Sequence, residues 1–371
     1  MVSSSENEQG SAGGQGRAPV VRFTTAGLPR AERFAAWDRM MAALFEVRRL
    51  KAQSGDDRFS AALTVYHFGV FLFCHSRSDA ARYMRSAERS RLDDLDHYLI
   101  HMPLQQGGVL GGAGDHGLQR RLRPMDVGIF DMAMPASLLS GAGEAISLIV
   151  PRAALAALLK HPNHQHGRVL GWDTPMGALL GRHLIGLYLE ASRFGLHEAS
   201  VLADAALRLI AIGLGFDIGT AAAPPAGTRE TLGRRVRLHI EQNLHRESLT
   251  PEAIMKELVI SRSQLYRQFE RYGGVHRYLR QRRLRQCLIT ICNPLHASER
   301  IADIAYDRGF SDEAHFSRIF REAYGMSPRE ARRAAQRGDG AVLAALMPPA
   351  DAATKDGAAP LAQWVRALMA G

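Results

Sequence analysis

Several groups of residues are of types and spacing suited to ligation or reaction. Gly112, Gly114 and Gly117 spell GxGxxG, the spacing with which backbone amides cradle a pyrophosphate. That use requires a helix opening on the loop. Here LQRRLRPMD follows, with Pro124 close behind and no helical stripe, so the segment reads as a hairpin loop. His161, His164 and His166 lie in KHPNHQHG. Three imidazoles can hold zinc, but no carboxylate or thiolate completes the set and no element fixes its geometry, so a solvated loop is the reading. His97 and His101 fall in a strand-like stretch and read as core or surface residues. Cys74, Cys287 and Cys292 are odd in number with no CxxC pair. That favours a reducing compartment over a disulfide framework or a cysteine zinc site. No HExxH, GxSxG or GxxxxGK appears, so no catalytic residue, metal or cofactor is assigned.

A further group is basic. Lys and Arg number 47 against 37 Asp and Glu, a net charge of +10. Residues 229–335 hold 21 of these cations against 13 acids, while the rest of the chain holds 26 against 24. Concentration of the excess into one domain-sized block points to an anionic partner rather than a merely solvated face.

The 371 residues imply two or three domains, and 46% hydrophobic with 23% charged residues excludes a fibrous or disordered chain. The opening MVSSSENEQGSAGGQG has no apolar core, and Val201–Gly219 is interrupted by Asp204, Arg208 and Asp217. Neither a signal peptide nor a membrane span is expected, which gives a soluble, cytoplasmic reading. Residues 1–18 are read as a disordered tail. From Phe59 to Cys74, and in pieces to Phe130, β-branched and aromatic residues predict strands. After Pro151 the three- and four-residue apolar spacing predicts helices. Residues 217–230, rich in Ala, Gly and Pro, read as a linker. The expected domains are 19–216, 231–335 and a C-terminal extension, 336–371.

Within the basic block a unit recurs, at about 250–271 and 301–322. Leu265, Arg267, Phe269 and Gly274 match Phe316, Arg318, Phe320 and Gly325 at an offset of 51, while the first helices align at 50, so the second copy has one extra turn residue. Each copy reads as helix, tight turn, helix. Thr250-Pro251-Glu252 starts one helix, and Ser261-Arg262-Ser263-Gln264 and Ser327-Pro328-Arg329-Glu330 fit capping boxes. Leu265/Phe269 and Phe316/Phe320 face inward, leaving Arg267 and Arg318 outside. Between the copies, Leu284, Cys287, Leu288 and Ile291 make one apolar stripe on a long helix that fixes their separation. Ala305 and Gly309 suit a close crossing and a sharp turn. The first copy has Met255 and Val259 there, and a β-branched residue at positive φ is strained. Its turn is therefore expected to take another conformation, with Val259→Gly neutral or mildly destabilising.

Residues 232–335 resemble the two-helix-turn-helix domain of AraC/XylS-type transcription regulators. The match is carried by Ile301-Ala302-Asp303-Ile304-Ala305, Gly309-Phe310-Ser311-Asp312, His315-Phe316-Ser317-Arg318, Phe320, Tyr324-Gly325 and Ser327-Pro328. Upstream, Trp37, Arg85-Ser86, Leu122-x-Pro124-x-Asp126, Pro151-Arg152 and Leu155 resemble the AraC-binding-like effector domain, with Met125 where that family has glycine.

The resemblance implies an α+β multidomain protein: a cupin-like β-barrel with helices, then an all-α double helix-turn-helix domain. It implies a sequence-specific transcription regulator, activator or repressor, that binds double-stranded promoter DNA and a small organic effector, and it admits a homodimer and an RNA polymerase contact. Carried over by position, Ser263, Tyr266 and Arg267 face bases from the first recognition helix, and Glu313, His315, Ser317 and Arg318 from the second. Arg262, Gln264, Gln268 and Ser311 are assigned to phosphates or flanks, and Ser261 is counted with the DNA-binding residues. Two other readings remain: an enzyme working in the β-barrel, and a ligand-independent architectural DNA-binding protein.

Overall fold

The structure, a computed structural model, describes residues 17–50, 59–93, 95–112, 119–156, 158–216, 232–293, 296–337, 361–365 and 368. The linker and most of the GxGxxG loop lie outside the described residues. The first 16 residues of the expected tail do too, but Arg17 bridges to Gly195 and Ala18 is buried, so the last two residues of that span do not belong to a disordered tail.

The strand-rich half forms two antiparallel sheets. The larger runs β1 (Val20–Thr24), β3 (Ala61–His67), β4 (Leu72–Ser78), β11 (Gly143–Val150), β6 (Tyr98–Pro103), β9 (Val127–Asp131) and β12 (Arg168–Leu170). The smaller runs β2 (Glu46–Arg49), β5 (Ala81–Arg85), β10 (Ala136–Ser140), β7 (Gly108–Gly112) and β8 (Arg120–Leu122). Period-two alternation sorts the side chains. Leu63, Leu99 and Ile149 of the large sheet share a core with Tyr83, Leu110 and Leu138 of the small one and with Trp37 and Met40 of α1 (Arg30–Met41). Ile100, Ile146 and Leu148 point the other way, onto α4 (Pro175–Glu190) and α5 (Leu196–Phe216). The two sheets do not close into one hydrogen-bonded ring among the described residues, and the arrangement is compatible with a cupin-like fold. β7 and β8 pair antiparallel, as the hairpin reading of the Gly-rich segment requires.

The upstream motif residues frame this half. The indole of Trp37 donates to the Tyr83 hydroxyl (3.1 Å). Buried Arg85 reaches the Leu44 carbonyl (3.1 Å) and Asp93 (2.8 Å), and Ser86 caps α2 (Ala87–Leu92). Asp126 accepts from the amides of Arg123 (2.9 Å) and Trp172 (2.8 Å), holding a turn in which Met125 sits at φ 70°. His101 is buried on β6 with Nδ1 2.9 Å from Ser147 Oγ, and His97, just before β6, is fully buried. His166 is also engaged: its Nδ1 accepts from the Asp131 amide (3.2 Å) rather than facing solvent.

The helical half contains α6 (Leu232–Asn243), α7 (Pro251–Leu258), α8 (Arg262–Phe269), α9 (Val275–Cys292), α10 (Ile301–Tyr306), α11 (Glu313–Tyr324) and α12 (Pro328–Gln336). Helix α9, about 27 Å long at 1.5 Å per residue, is the shared spine. Its first half puts Val275, Tyr278 and Leu279 into the core of the first unit with Ile254, Leu265 and Phe269. Its second half puts Leu284, Cys287, Leu288 and Ile291 into the core of the second with Phe316 and Phe320.

Candidate nucleic-acid interface

Both helix-turn-helix units are set by local chemistry. Thr250 caps α7 and Ser261 caps α8, where the full capping box with Gln264 forms: Ser261 Oγ accepts from the Gln264 amide (3.2 Å) and Gln264 Oε1 from the Ser261 amide (2.8 Å). In the second unit Asp312, not Ser311, caps α11, accepting from the His315 amide (2.9 Å). The extra residue lies between the left-handed turn residue and this cap. Ile260 and Phe310 donate to the carbonyls of Met255 (3.0 Å) and Ala305 (3.1 Å), so the two helix ends close alike.

The first turn corrects the sequence expectation. Val259 is held at φ 53°, ψ 56°, the left-handed conformation that Gly309 takes at φ 76°. Docking of α7 and α8 on α9 fixes where the chain must reverse, and the packing of Ile254, Leu265 and Phe269 outweighs one strained residue. Val259 escapes a steric clash because its side chain is 89% exposed. Gly309 lacks that freedom, since a Cβ there would lie 2.9 Å from the Arg283 guanidinium. Val259→Gly is therefore expected to stabilise the domain by about 1 kcal/mol, strain relief exceeding the added chain entropy of glycine. Chemical denaturation of the full chain checks this, and a lowered midpoint would contradict it.

The buried faces of α8 and α11 (Leu265, Phe269; Phe316, Ile319, Phe320) leave the assigned residues outward. Ser261, Arg262, Ser263, Gln264 and Arg267 are exposed, with Tyr266 and Gln268 half-buried. On the second unit Ser311, Glu313, His315 and Arg318 are exposed and Ser317 is half-buried. The Arg262 guanidinium lies 5.1 Å from the centre of the Tyr266 ring, which orients both. Ser261 and Gln264 are partly committed to their cap.

Charge in the basic block is less available than its count suggests. Arg234, Arg237, Arg282 and Arg285 are buried. Arg282 grips Glu241 of α6 with two bonds (2.5 and 3.1 Å). Arg234 Nη2 lies 2.5 Å from Asp131 at the end of β9, and Arg237 Nε 3.2 Å from Asp96. Asp131 also pairs with buried Arg152 of α3 (Arg152–Ala156), whose guanidinium reaches the Tyr98 hydroxyl (2.6 Å). Helix α6 thus packs one face on the first unit and pairs with the strand-rich half through the other. Sequence reading missed this seam, and also missed Arg283, which donates to the carbonyls of Leu244 (3.2 Å), Arg246 (2.6 Å) and Gly309 (3.3 Å) and so ties the end of α6 to the second turn. Nothing local distinguishes these arginines from their exposed neighbours.

A helix-turn-helix domain model matches residues 254–334, and an AraC-binding-like domain model matches residues 37–214. The chain belongs to the AraC-type regulators. It is a DNA-binding transcription regulator with an effector-binding N-terminal domain. This AraC-type chain is 28% identical over 268 residues to the transcriptional activator NphR of Rhodococcus sp, spanning 70% of this chain and 77% of that one. It is 35% identical over 89 residues to the HTH-type transcriptional activator RhaS of Escherichia fergusonii, a match covering 24% of this chain and 31% of RhaS. The crystal structure of the AraC-like transcriptional activator CuxR aligns over 77% of this chain and 99% of its own, with a TM-score of 0.58 and 26% identity. Among the described residues, no group of three His, Cys, Asp or Glu is placed to hold a metal, and no helix is long and apolar enough to cross a membrane.

Proposed function

We propose that α8 and α11 enter successive major grooves of promoter DNA from one side and activate transcription there. The observation that carries this is the pair of capped helices with polar outer faces, held on one spine. Such grooves recur about every 34 Å, and a rigid α9 keeps the two faces in register. Ser263, Tyr266 and Arg267, with Glu313, His315, Ser317 and Arg318, read base edges. Arg262 and the helix-start residues Ser261, Gln264 and Ser311, with Gln268, meet phosphates or flanks. The same reading includes a homodimer and a contact with RNA polymerase.

Binding by the full chain is expected to weaken steeply with salt, with a slope in log K against log salt of about −0.9 per phosphate neutralised. Arg234, Arg237, Arg282 and Arg285 are buried and contribute nothing to that slope. Fluorescence anisotropy on a duplex at several salt concentrations checks it, and a slope near zero would sink the reading.

The effector site we assign is the cavity between the two sheets. Its walls are Trp37, Met41, Phe45, Leu63, Leu99, Leu138 and Ile149, with Ser76, Ser147, His101, Gln106 and Glu144 supplying polar atoms. Among the described residues, no Lys or Arg lines it. An acid or phosphate would enter without a counter-charge, so the fitting effector is an uncharged, largely apolar organic molecule with a hydrogen-bonding group.

A further inference from the structure

Residues 361–365 are helical, and Leu361, Trp364, Val365 and Leu368 are all buried. Their spacing is i, i+3, i+4, i+7, one face of a helix. All four belong to the core that contains Trp37, Leu63, Tyr83, Leu99 and Leu138. This stretch, which follows the DNA-binding domain in the chain, is therefore buried in the effector half. Leu361 forms part of the cavity wall. The Trp364 ring meets His67 edge-on, centroids 5.5 Å apart. Burial holds His67 far below its ordinary value, at about 3, so Trp364 packs on an uncharged ring. Leu368 reaches the seam, beside Arg152 and Arg237.

The cavity measures about 70 Å³. A dry protein cavity that accepts one benzene is about 150 Å³. A ring-sized molecule does not fit while Leu361 is in place; the rest of the wall is paired strands of both sheets together with Trp37 and Met41 of α1 and the neighbouring Leu44 and Phe45. The C-terminal helix lies outside both sheets, and its apolar face is what holds it there.

We propose that the helix carrying Leu361, Trp364 and Val365 is an intramolecular plug of the effector cavity, displaced by an apolar ring-bearing ligand that takes the place of Leu361. This rests on the cavity being the effector site. The ligand's apolar body substitutes for the leucine side chain, so ligand and plug exclude each other, and the strength of plug packing sets the ligand's affinity. Residue 361 is thereby a specificity-determining position contributed from outside the effector domain.

The test uses N-phenyl-naphthylamine, an uncharged fluorescent probe, titrated into the intact chain, a chain lacking residues 361–371, and the Leu361→Ala and Leu361→Trp variants. Truncation and Leu361→Ala are expected to tighten probe binding by about tenfold or more, and Leu361→Trp to weaken it. Adding Ala145→Phe, which fills the cavity from β11, should abolish the gain. Equal affinity across the intact chain, the truncation and both Leu361 variants, all sensitive to Ala145→Phe, would overturn the plug and leave the effector cavity standing. Tighter binding that ignores Ala145→Phe would overturn the plug, because the probe would then be sensing exposed core. Absence of binding in every form would overturn both the plug and the cavity. Because the two Leu361 variants act in opposite directions at one position, they decide the matter even if the truncated chain fails to fold.

Discussion

Asp131→Ala is expected to lower the unfolding free energy by about 3–5 kcal/mol, the largest single-residue effect at the seam. Asp131 is fully buried at the end of β9, between the guanidiniums of Arg152 and Arg234, and its other oxygen accepts from the Ala133 amide (3.0 Å). Removing the carboxylate leaves two buried cations facing each other with their desolvation uncompensated. Replacing all three by apolar residues of similar size (Asp131→Leu, Arg152→Met, Arg234→Met) should cost less than the single change, since no charge is then left alone. Urea denaturation of the full chain measures both. A loss under about 1 kcal/mol for Asp131→Ala would mean that water or a neighbour relieves the arginines.

The same residue predicts a pH dependence. Burial by itself pushes the Asp131 carboxyl up, but Arg152 and Arg234 overcome this and hold it at about 2, below its ordinary 3.8. A carboxyl depressed on folding contributes stability that is fully present above its unfolded value and is lost as pH falls toward the folded one. The stability gap between the wild-type chain and Asp131→Ala should therefore be constant above about pH 5 and shrink from about pH 4 to pH 2. A gap that widens on acidification would reverse the assignment.

Arg318→Ala is expected to cost about 1–3 kcal/mol on the specific site and to flatten the preference at one base position, while sparing binding to random DNA. Arg318 is exposed, nearly two turns of α11 in from the Asp312 cap, on the side away from Phe316, Ile319 and Phe320. A guanidinium so placed can fork onto guanine O6 and N7. Competition binding against a library of single-base operator variants gives the answer. Equal losses on specific and random duplexes would move Arg318 from base reading to phosphate contact. Fold damage is not a competing explanation at an exposed helix position where alanine is a better helix former than arginine.

Sequence alone determined whatever depends on residues a few positions apart. The caps at Thr250, Ser261 and Ser327, the inward pairs Leu265/Phe269 and Phe316/Phe320 and the stripe Leu284–Ile291 form where the spacing placed them, because a cap or an apolar face is decided within one or two helical turns. The C-terminal stripe Leu361, Trp364, Val365, Leu368 has the same helical spacing, outside the stretches that carry the family resemblance. What that face packs against, no local pattern states. Tertiary structure decided the rest. Val259 goes to positive φ, against its own preference, because the packing of two helices on α9 fixes the turn between them. The Arg234–Asp131 pair joins residues 103 positions apart, and its formation turns an arginine of the basic block away from any DNA-facing role. Such contacts involve side chains whose types are common and whose partners become neighbours only once sheets and helices are stacked, so their energies are set by burial, which a sequence does not contain.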